Sequence, residues 1–145
     1  MLSVFVVCVG TLKESYLKDA VHEYAKRLCR FCKIQVVEVA ESTPEKEKDD
    51  LLKQCRGYKI ALCVEGKQIS SEQLAQKIAD VSMQHSSLTF IIGSSTGLDD
   101  SVKKAADMQL SFSPMTFPHQ LMRVILMEQI YRAFTINHHI KYQVR

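Results

Sequence analysis

Two loops in this chain combine residue types that could hold a small ligand. Residues 93–97 form a small, polar, glycine-bounded loop after an apolar run, and residues 113–119 contain two prolines with Met115 and Phe117. Glycine lets backbone approach a ligand closely, and α/β sheets bind ligands beyond the carboxyl ends of their strands. The apolar slot of the second loop suits a flat base or nucleoside, whose polar edges backbone groups can read. We therefore expect one ligand between the two loops.

Each of these features also has a plain structural interpretation. The glycines can be turn formers, and the proline-containing loop can be a stiff β–α connection. His119, at the start of the predicted last helix, can cap that helix, pack in the core or act in catalysis. Glu128 and Arg132 are four residues apart, which indicates either a weak surface ion pair or a buried pair. Neither loop matches the Walker A sequence or G-x-G-x-x-G, so phosphate-loop and Rossmann sites are disfavoured.

Length and composition indicate one domain spanning residues 1–145. A chain of 145 residues, 46% of them hydrophobic, is long enough to bury a core. No apolar run approaches the roughly 18–20 residues that span a bilayer, so we expect no membrane partner. The first apolar run ends at Gly10 and predicts a buried strand better than a signal peptide. We expect an intracellular, cytoplasmic protein.

The five cysteines are expected to be reduced thiols, because disulfides are rare in cytosolic proteins. Cys29 and Cys32 form a CxxC motif, but it ends a helical pattern, and no second ligand pair has zinc-site spacing. The sequence therefore predicts no metal. A net charge of +3 permits an anionic partner without demanding one.

Alternating patterns predict five strands and five helices. Apolar runs indicate strands over residues 2–9, 34–39, 59–64, 88–92 and 108–112. Thr43 before Pro44, and Ser70 three residues before Gln73, are typical helix starts. The last helix, over residues 118–136, has an apolar surface wide enough for a partner subunit to cover part of it. This alternation predicts a mainly parallel sheet with helices on both faces, a three-layer α/β fold.

Four segments together resemble the ribosomal RNA large-subunit methyltransferase H family, a group within the SPOUT (trefoil-knotted) methyltransferases. They are VFVVCVGTLKE, VEGKQISSEQLA, IIGSSTGL and LSFSPMTFPHQLMRVILMEQIYRAF. The resemblance covers nearly the whole chain and implies an α/β SPOUT fold with a C-terminal trefoil knot. It also implies a homodimer whose last helices meet. The implied reaction is S-adenosyl-L-methionine-dependent methylation of N3 of a pseudouridine in 23S rRNA of the assembled ribosome.

The resemblance implies roles for individual residues as well. The cofactor would lie between the loops that follow the third, fourth and fifth strands, at Leu62, Gly93, Ser94, Ser113, Pro114, Met115, Thr116, Phe117 and Pro118. Substrate placement and proton handling would fall to His119, Glu128, Arg132 and Tyr142. The basic side chains that could contact RNA phosphates are Lys13, Arg123, Arg132, Lys141 and Arg145.

Two positions depart from the family pattern. Ser94 stands where the family usually has a second glycine, which is tolerable if its φ angle is negative. In the tail Tyr142 matches the family, but Gln143 replaces its histidine, and glutamine cannot serve as a general base. Proton acceptance would then fall to His138, His139 or His119. Alternatively, the chain is a catalytically impaired, knotted protein that binds RNA or the ribosome.

Overall fold

The computed structural model describes residues 1–142, which form a parallel sheet flanked by helices. The elements in chain order are β1 (Ser3–Val9), α1 (Ser15–Leu28), β2 (Lys33–Val39), α2 (Pro44–Gln54), β3 (Tyr58–Gln68), α3 (Ser71–Gln84), β4 (Ser87–Ile92), α4 (Asp100–Ala105), β5 (Met108–Ser111) and α5 (His119–Asn137). The sheet order is β2-β1-β4-β3-β5, and each neighbouring pair is parallel. The predicted α/β class is confirmed, and the trefoil knot stays a prediction.

Helices cover both faces of the sheet. On one face α1, α3 and α5 bury Leu28, Ile78 and Met127 in a large apolar cluster. On the other, α2 and α4 bury Leu51 and Val102 in a smaller one. The central strands β1 and β4 face both clusters, which explains why their sequences are continuous apolar runs. The three layers predicted from the sequence are present.

The helix starts follow the local signals in the sequence. The Thr43 side chain accepts a hydrogen bond from the Lys46 backbone N–H, with Pro44 at the first helical position of α2. Ser70 and Gln73 form a reciprocal capping box at the start of α3. Both caps satisfy backbone N–H groups that have no partner within the helix.

The course of β3 was predicted wrongly, because Glu65 and Gly66 do not end it. Leu62 and Lys67 both pair with Leu110 of β5, so residues 63–66 bulge out of the ladder and pairing then resumes to Gln68. A bulge bends its strand and redirects side chains. Here it is specified by pairing with a strand more than forty residues later, which a local pattern cannot show. The bulge lies beside the carboxyl ends of the neighbouring strands.

The CxxC cysteines occupy different environments. Cys29 is exposed at the end of α1, whereas Cys32 is buried, and burial raises the pKa of Cys32 to about 12. Residues 1–142 contain no group of three histidine, cysteine or acidic side chains placed to hold a metal ion. None of the helices in that range is both long and apolar enough to cross a membrane.

Candidate active site

A cavity of about 570 Å³ opens between the bulge of β3 and the carboxyl ends of β4 and β5. Its volume is within the range of small-molecule sites in proteins. Eight of the nine residues predicted to bind a cofactor line it: Leu62, Gly93, Ser94, Ser113, Met115, Thr116, Phe117 and Pro118. Pro114 lies in the same loop but is not among the lining residues. Leu62 was predicted to follow the third strand, but it lies within β3, directly before the bulge. The predicted positions on β3 and in the loops after β4 and β5 nevertheless share one cavity, while binding itself stays a prediction.

The loop after β4 is built on two glycines with different constraints. A Cβ on Gly93 would lie 2.6 Å from the carbonyl carbon of Gly97, so no side chain fits there. Gly97 has φ +85°, in the left-handed region that favours glycine, and its N–H donates to the Ser94 carbonyl over 2.9 Å. Within residues 1–142 the only non-glycine residue with positive φ is His139. Ser94 therefore has a negative φ, which a residue with a Cβ requires at this position.

The loop after β5 is stiffened by its own hydrogen bonds. The Ser113 hydroxyl accepts from the Met115 backbone N–H over 3.0 Å, and the Ser113 carbonyl accepts from the Ser111 hydroxyl over 3.1 Å. Phe117 is half-buried in the cavity wall, whereas 72% of the Met115 surface is exposed at its edge. The loop therefore presents apolar side chains beside backbone groups, as the sequence predicts.

An ion pair at the cavity edge was missed in the sequence. The Lys103 ammonium of α4 donates to the Glu65 carboxylate of the β3 bulge, and both residues line the cavity. The hydrogen bond from Lys103 holds the pKa of Glu65 below its usual range. The pairing joins residues 38 apart, and the sequence around Glu65 indicates only the end of a strand. It connects α4 to the β3 bulge on one side of the cavity.

His119 begins α5 and also lines the cavity. Its Nε2 atom is buried and has no hydrogen-bond partner within residues 1–142. Over the same residues α5 starts without a side-chain cap, so the capping interpretation of His119 does not hold. A ligand in the cavity would have this imidazole in its wall.

Arg123 was wrongly predicted as a phosphate contact. It is 0% exposed, and its guanidinium lies 2.6 Å from the Glu38 carboxylate. It also donates to the carbonyl oxygens of Val9 and Gly10 over 3.0 and 2.7 Å. Arg123 therefore fixes the start of α5 to the end of β1. Its position facing the core follows from how α5 packs on the sheet, which its residue type alone does not reveal.

Glu128, Arg132 and Tyr142 form a hydrogen-bonded group on the outer side of α5. The Arg132 guanidinium donates to Glu128 Oε2 through Nη2 at 2.6 Å and Nε at 3.0 Å, and the Tyr142 hydroxyl donates to the same oxygen over 2.9 Å. The two charged side chains are each about one-fifth exposed. Burial raises the pKa of Tyr142, and its hydrogen bonds to Tyr24 and Glu128 raise it further. The Tyr142 hydroxyl therefore stays protonated and acts as a hydrogen-bond donor.

The chain reverses after α5 to bring Tyr142 back. His139 adopts φ 56°, and the Ile140 backbone N–H donates to the Thr135 carbonyl over 2.9 Å, as at many helix ends. The Tyr142 ring then meets Tyr131 edge-on at 4.8 Å. His138 contacts Phe31 at a ring separation of 4.9 Å. Gln143 and Arg145, to which sequence-based roles were assigned, lie outside the described residues.

Three of the four predicted catalytic residues are brought together, and the fourth is not. Glu128 lies nine positions after His119 on the helix, a rise of about 14 Å at 1.5 Å per residue. Within one chain, His119 belongs to the cavity, and Glu128, Arg132 and Tyr142 form a separate group. A single chain therefore does not bring all four predicted residues into one site.

The sequence was compared with known families and proteins. Residues 2–143 match the family described as "Predicted SPOUT methyltransferase". The chain is 52% identical to the ribosomal RNA large subunit methyltransferase H of Bifidobacterium animalis subsp. lactis, with 97% of this chain and 99% of that one covered. It is 49% identical to the protein of the same name from Clostridium novyi, covering 94% and 96% respectively.

The fold was compared with solved structures. A structure described as a probable methylase family protein from Haemophilus influenzae superposes with a TM-score of 0.63 at 12% identity, covering 100% of this chain and 72% of that one. A SpoU methyltransferase from Streptomyces viridochromogenes, in complex with AdoMet, superposes with a TM-score of 0.54 at 10% identity, covering 96% and 59%. At these identities the likeness shows the shared fold.

Proposed function

The chain belongs to the SPOUT methyltransferase family, and we propose that it methylates large-subunit ribosomal RNA with S-adenosylmethionine as the methyl donor. The observation that carries this proposal is the cavity that β3 at Leu62 and the loops after β4 and β5 form together, since the family resemblance implies these three segments. The names of the relatives supply the substrate class. A ribosomal substrate would place the protein in the cytoplasm, and we propose one knotted domain over residues 1–145.

The cavity has the properties that such a cofactor requires. Residues 93 and 94 and the loop 113–118 would hold it against Leu62, with backbone groups reading the adenine and apolar side chains covering its faces. Gly93 lines the cavity and leaves no room for a side chain, because a Cβ there would meet the backbone of Gly97 and Leu98. When bound, S-adenosylmethionine supplies an electrophilic methyl group on a sulfonium. The protein then contributes chiefly position and orientation.

We propose that the acceptor is N3 of a pseudouridine in 23S rRNA, presented on the assembled ribosome. That nitrogen carries an imide proton, which must leave before or during methyl transfer. Arg132 offers a fixed positive charge that would stabilise the resulting anion, and Tyr142 offers a hydrogen bond. Glu128 holds both in place, because its carboxylate accepts from each of them. His119 is the described imidazole nearest the cofactor loops and is our candidate for the proton acceptor.

We propose that a homodimer unites the two parts of the site. Within one chain the cavity and the Glu128 group lie apart along α5. In the proposed dimer, the Glu128 group of the second chain would lie at the cavity of the first. The outer side of α5 retains partly exposed apolar residues, including Leu121 at 39% exposure, that such a contact would cover. Sedimentation of the purified protein would test whether it is a dimer. Mixing Arg132→Ala chains with His119→Ala chains would test whether the two chains share one active site. Recovery of activity in the mixture is expected, and its absence would count against a shared site.

Two experiments test the activity. Calorimetry should show that S-adenosylmethionine binds the wild-type protein in the absence of RNA. Methyl transfer to ribosomes should then be measured for the wild type and for Gln143→His, which restores the family residue. Cofactor binding without turnover in the wild type, combined with turnover in Gln143→His, would favour the impaired RNA-binding protein over the active enzyme. Absence of cofactor binding would overturn the proposed enzyme and favour the impaired RNA-binding protein.

A further inference from the structure

The ion pair of Glu65 and Lys103 brings both signs of charge to the wall of the cavity. Among the lining residues that the structure describes, Glu65 is the only acid and Lys103 is the only lysine or arginine. The rest of the wall consists mainly of apolar side chains, such as Leu62 and Phe117, and of small polar residues. A ligand that carries full charges of both signs would therefore find its oppositely charged partners at this pair.

Lys103 is held in the cavity wall and does not extend into solvent. Its side chain is 20% exposed, which is low for a lysine, whereas the Glu65 side chain is 57% exposed. The hydrogen bond to Glu65 raises the pKa of Lys103, so the ammonium keeps its charge at neutral pH. Asp100 lies 3.8 Å from the same ammonium but does not line the cavity. The pair thus places a partly buried cation beside an acid that water can reach.

Contacts of the backbone fix the segments that carry the two charges. The Gln109 side chain of β5 donates to the Lys103 carbonyl over 3.2 Å and accepts from the Cys63 thiol over 3.7 Å, so it joins the end of α4 to the β3 bulge. A Cβ on Gly66 would lie 2.8 Å from backbone atoms of Gln109 and Leu110, so the bulge packs directly on β5. Because these segments are ordered before a ligand arrives, binding costs less conformational entropy.

A zwitterion is the kind of ligand that such a pair fits. An ammonium group has three N–H donors and a carboxylate has two oxygens, so Lys103 and Glu65 can stay paired while each binds a further charge. An α-amino acid group carries a carboxylate and an ammonium on the same carbon atom. Its carboxylate would accept from Lys103, and its ammonium would donate to Glu65. Charge-assisted hydrogen bonds of this kind are roughly twice as strong as neutral ones.

We propose that Lys103 and Glu65 bind the α-amino-acid end of S-adenosylmethionine, Lys103 through the carboxylate and Glu65 through the ammonium. The inference rests on the proposed function for the identity of the cofactor. The adenine would then lie in the apolar part of the cavity. The ribose is a competing partner for Glu65, because an acid can accept from its hydroxyl groups, but a ribose has no charge for Lys103 to bind.

The test compares Lys103→Met with Lys104→Met by calorimetric titration of the purified protein. Lys104 is a matched control, because it is the next residue on α4, is exposed and does not line the cavity. The two ligands are S-adenosylmethionine and 5′-methylthioadenosine, which keeps the adenine and ribose but has no amino-acid group. We expect Lys103→Met to weaken S-adenosylmethionine binding about tenfold or more and 5′-methylthioadenosine binding less than about twofold. Lys104→Met should leave both affinities unchanged.

Glu65 is tested with decarboxylated S-adenosylmethionine, which keeps the ammonium but has no carboxylate. Glu65→Gln should weaken binding of this ligand about tenfold, whereas Lys103→Met should not weaken it. Asp100→Asn is the matched control, because Asp100 is also an acid beside Lys103 but lies outside the cavity wall. It should leave the affinity for every ligand unchanged. Lys103→Arg keeps the positive charge and should retain S-adenosylmethionine affinity within about threefold of the wild type.

Two results for Lys103→Met would overturn the inference. One is wild-type affinity for S-adenosylmethionine, which would show that Lys103 does not contact this ligand. The other is an equal loss of affinity for S-adenosylmethionine and 5′-methylthioadenosine, because the pair would then shape the cavity or bind the ribose. In both cases S-adenosylmethionine still binds the wild type, and the proposed function stands. If the wild type does not bind S-adenosylmethionine, the proposed function and the inference fail together.

Discussion

Replacing Gly93 with alanine should weaken cofactor binding more than any other single-methyl change in the loop after β4. The added Cβ would lie 2.6 Å from the Gly97 carbonyl carbon, 2.7 Å from its oxygen and 2.9 Å from the Leu98 nitrogen. All three are backbone atoms, so no side-chain rotation relieves the overlap. The loop must retreat by about 0.8 Å, and overpacking of this kind costs about 1–3 kcal/mol. Because the loop lines the cavity, we expect a loss of cofactor affinity of about 5- to 150-fold.

Gly97→Ala is the control, since it adds the same methyl group to the same loop. Nothing lies within 4 Å of its added Cβ, but Gly97 has φ +85°. Placing alanine in the left-handed region costs about 1–2 kcal/mol of stability without pushing on neighbouring atoms. We therefore expect Gly97→Ala to lower the melting temperature to a similar extent but to change cofactor affinity less than about threefold.

The assay is calorimetric titration of each variant with S-adenosylmethionine, together with thermal melting monitored by circular dichroism. Melting shows whether both proteins fold, and the affinities then isolate the effect of crowding at the cavity. Wild-type affinity in Gly93→Ala, or an equal loss in both variants, would refute the reasoning that close backbone contact at residue 93 shapes the binding site.

Three further predictions concern stability. Arg123→Met leaves the Val9 and Gly10 carbonyls without their donor, so urea denaturation should show a loss of about 3–5 kcal/mol; a loss under about 1 kcal/mol would contradict a structural role. His139→Gly should raise the free energy of unfolding by about 1 kcal/mol, because glycine adopts positive φ without strain, and a decrease would count against the reversed tail. The fold raises the pKa of Tyr142, so the folded protein keeps this proton while the unfolded chain releases it near pH 10. This stabilisation is complete below about pH 10 and is lost as pH rises towards the folded pKa. Melting temperature should therefore fall less steeply above that pH in Tyr142→Phe than in the wild type, and equal slopes would be inconsistent with burial.

Much of the fold was determined by local sequence. Helix starts at Thr43–Pro44 and at Ser70 depend on side chains within three residues of the backbone groups that they satisfy. Continuous apolar runs predicted β1 and β4 because a strand buried on both faces has no polar side. The two loops after β4 and β5 were predicted for a similar reason, since small residues, glycines and prolines mark the ends of strands.

The family resemblance added the third cofactor segment, at Leu62 of β3, and the tail tyrosine. Neither position carries a local signal, because leucine and tyrosine are ordinary core residues. The cavity shows that Leu62 and the two loops adjoin one another. The order of strands in the sheet decides this, and the order in the chain does not.

Only the tertiary structure decided which charged residues are buried and which partners they have. Arg123 and Arg132 lie on the same helix, yet one is buried against Glu38, 85 residues away, and the other is paired on the outer side with Glu128. The β3 bulge and the return of Tyr142 likewise depend on partners distant in sequence. The sequence by itself therefore determined the elements and the loops between them, through short-range hydrogen bonding and hydrophobic periodicity. Strand order, burial of charge and the separation of His119 from Glu128 were decided by long-range packing, which places residues of the same type in water or in the core.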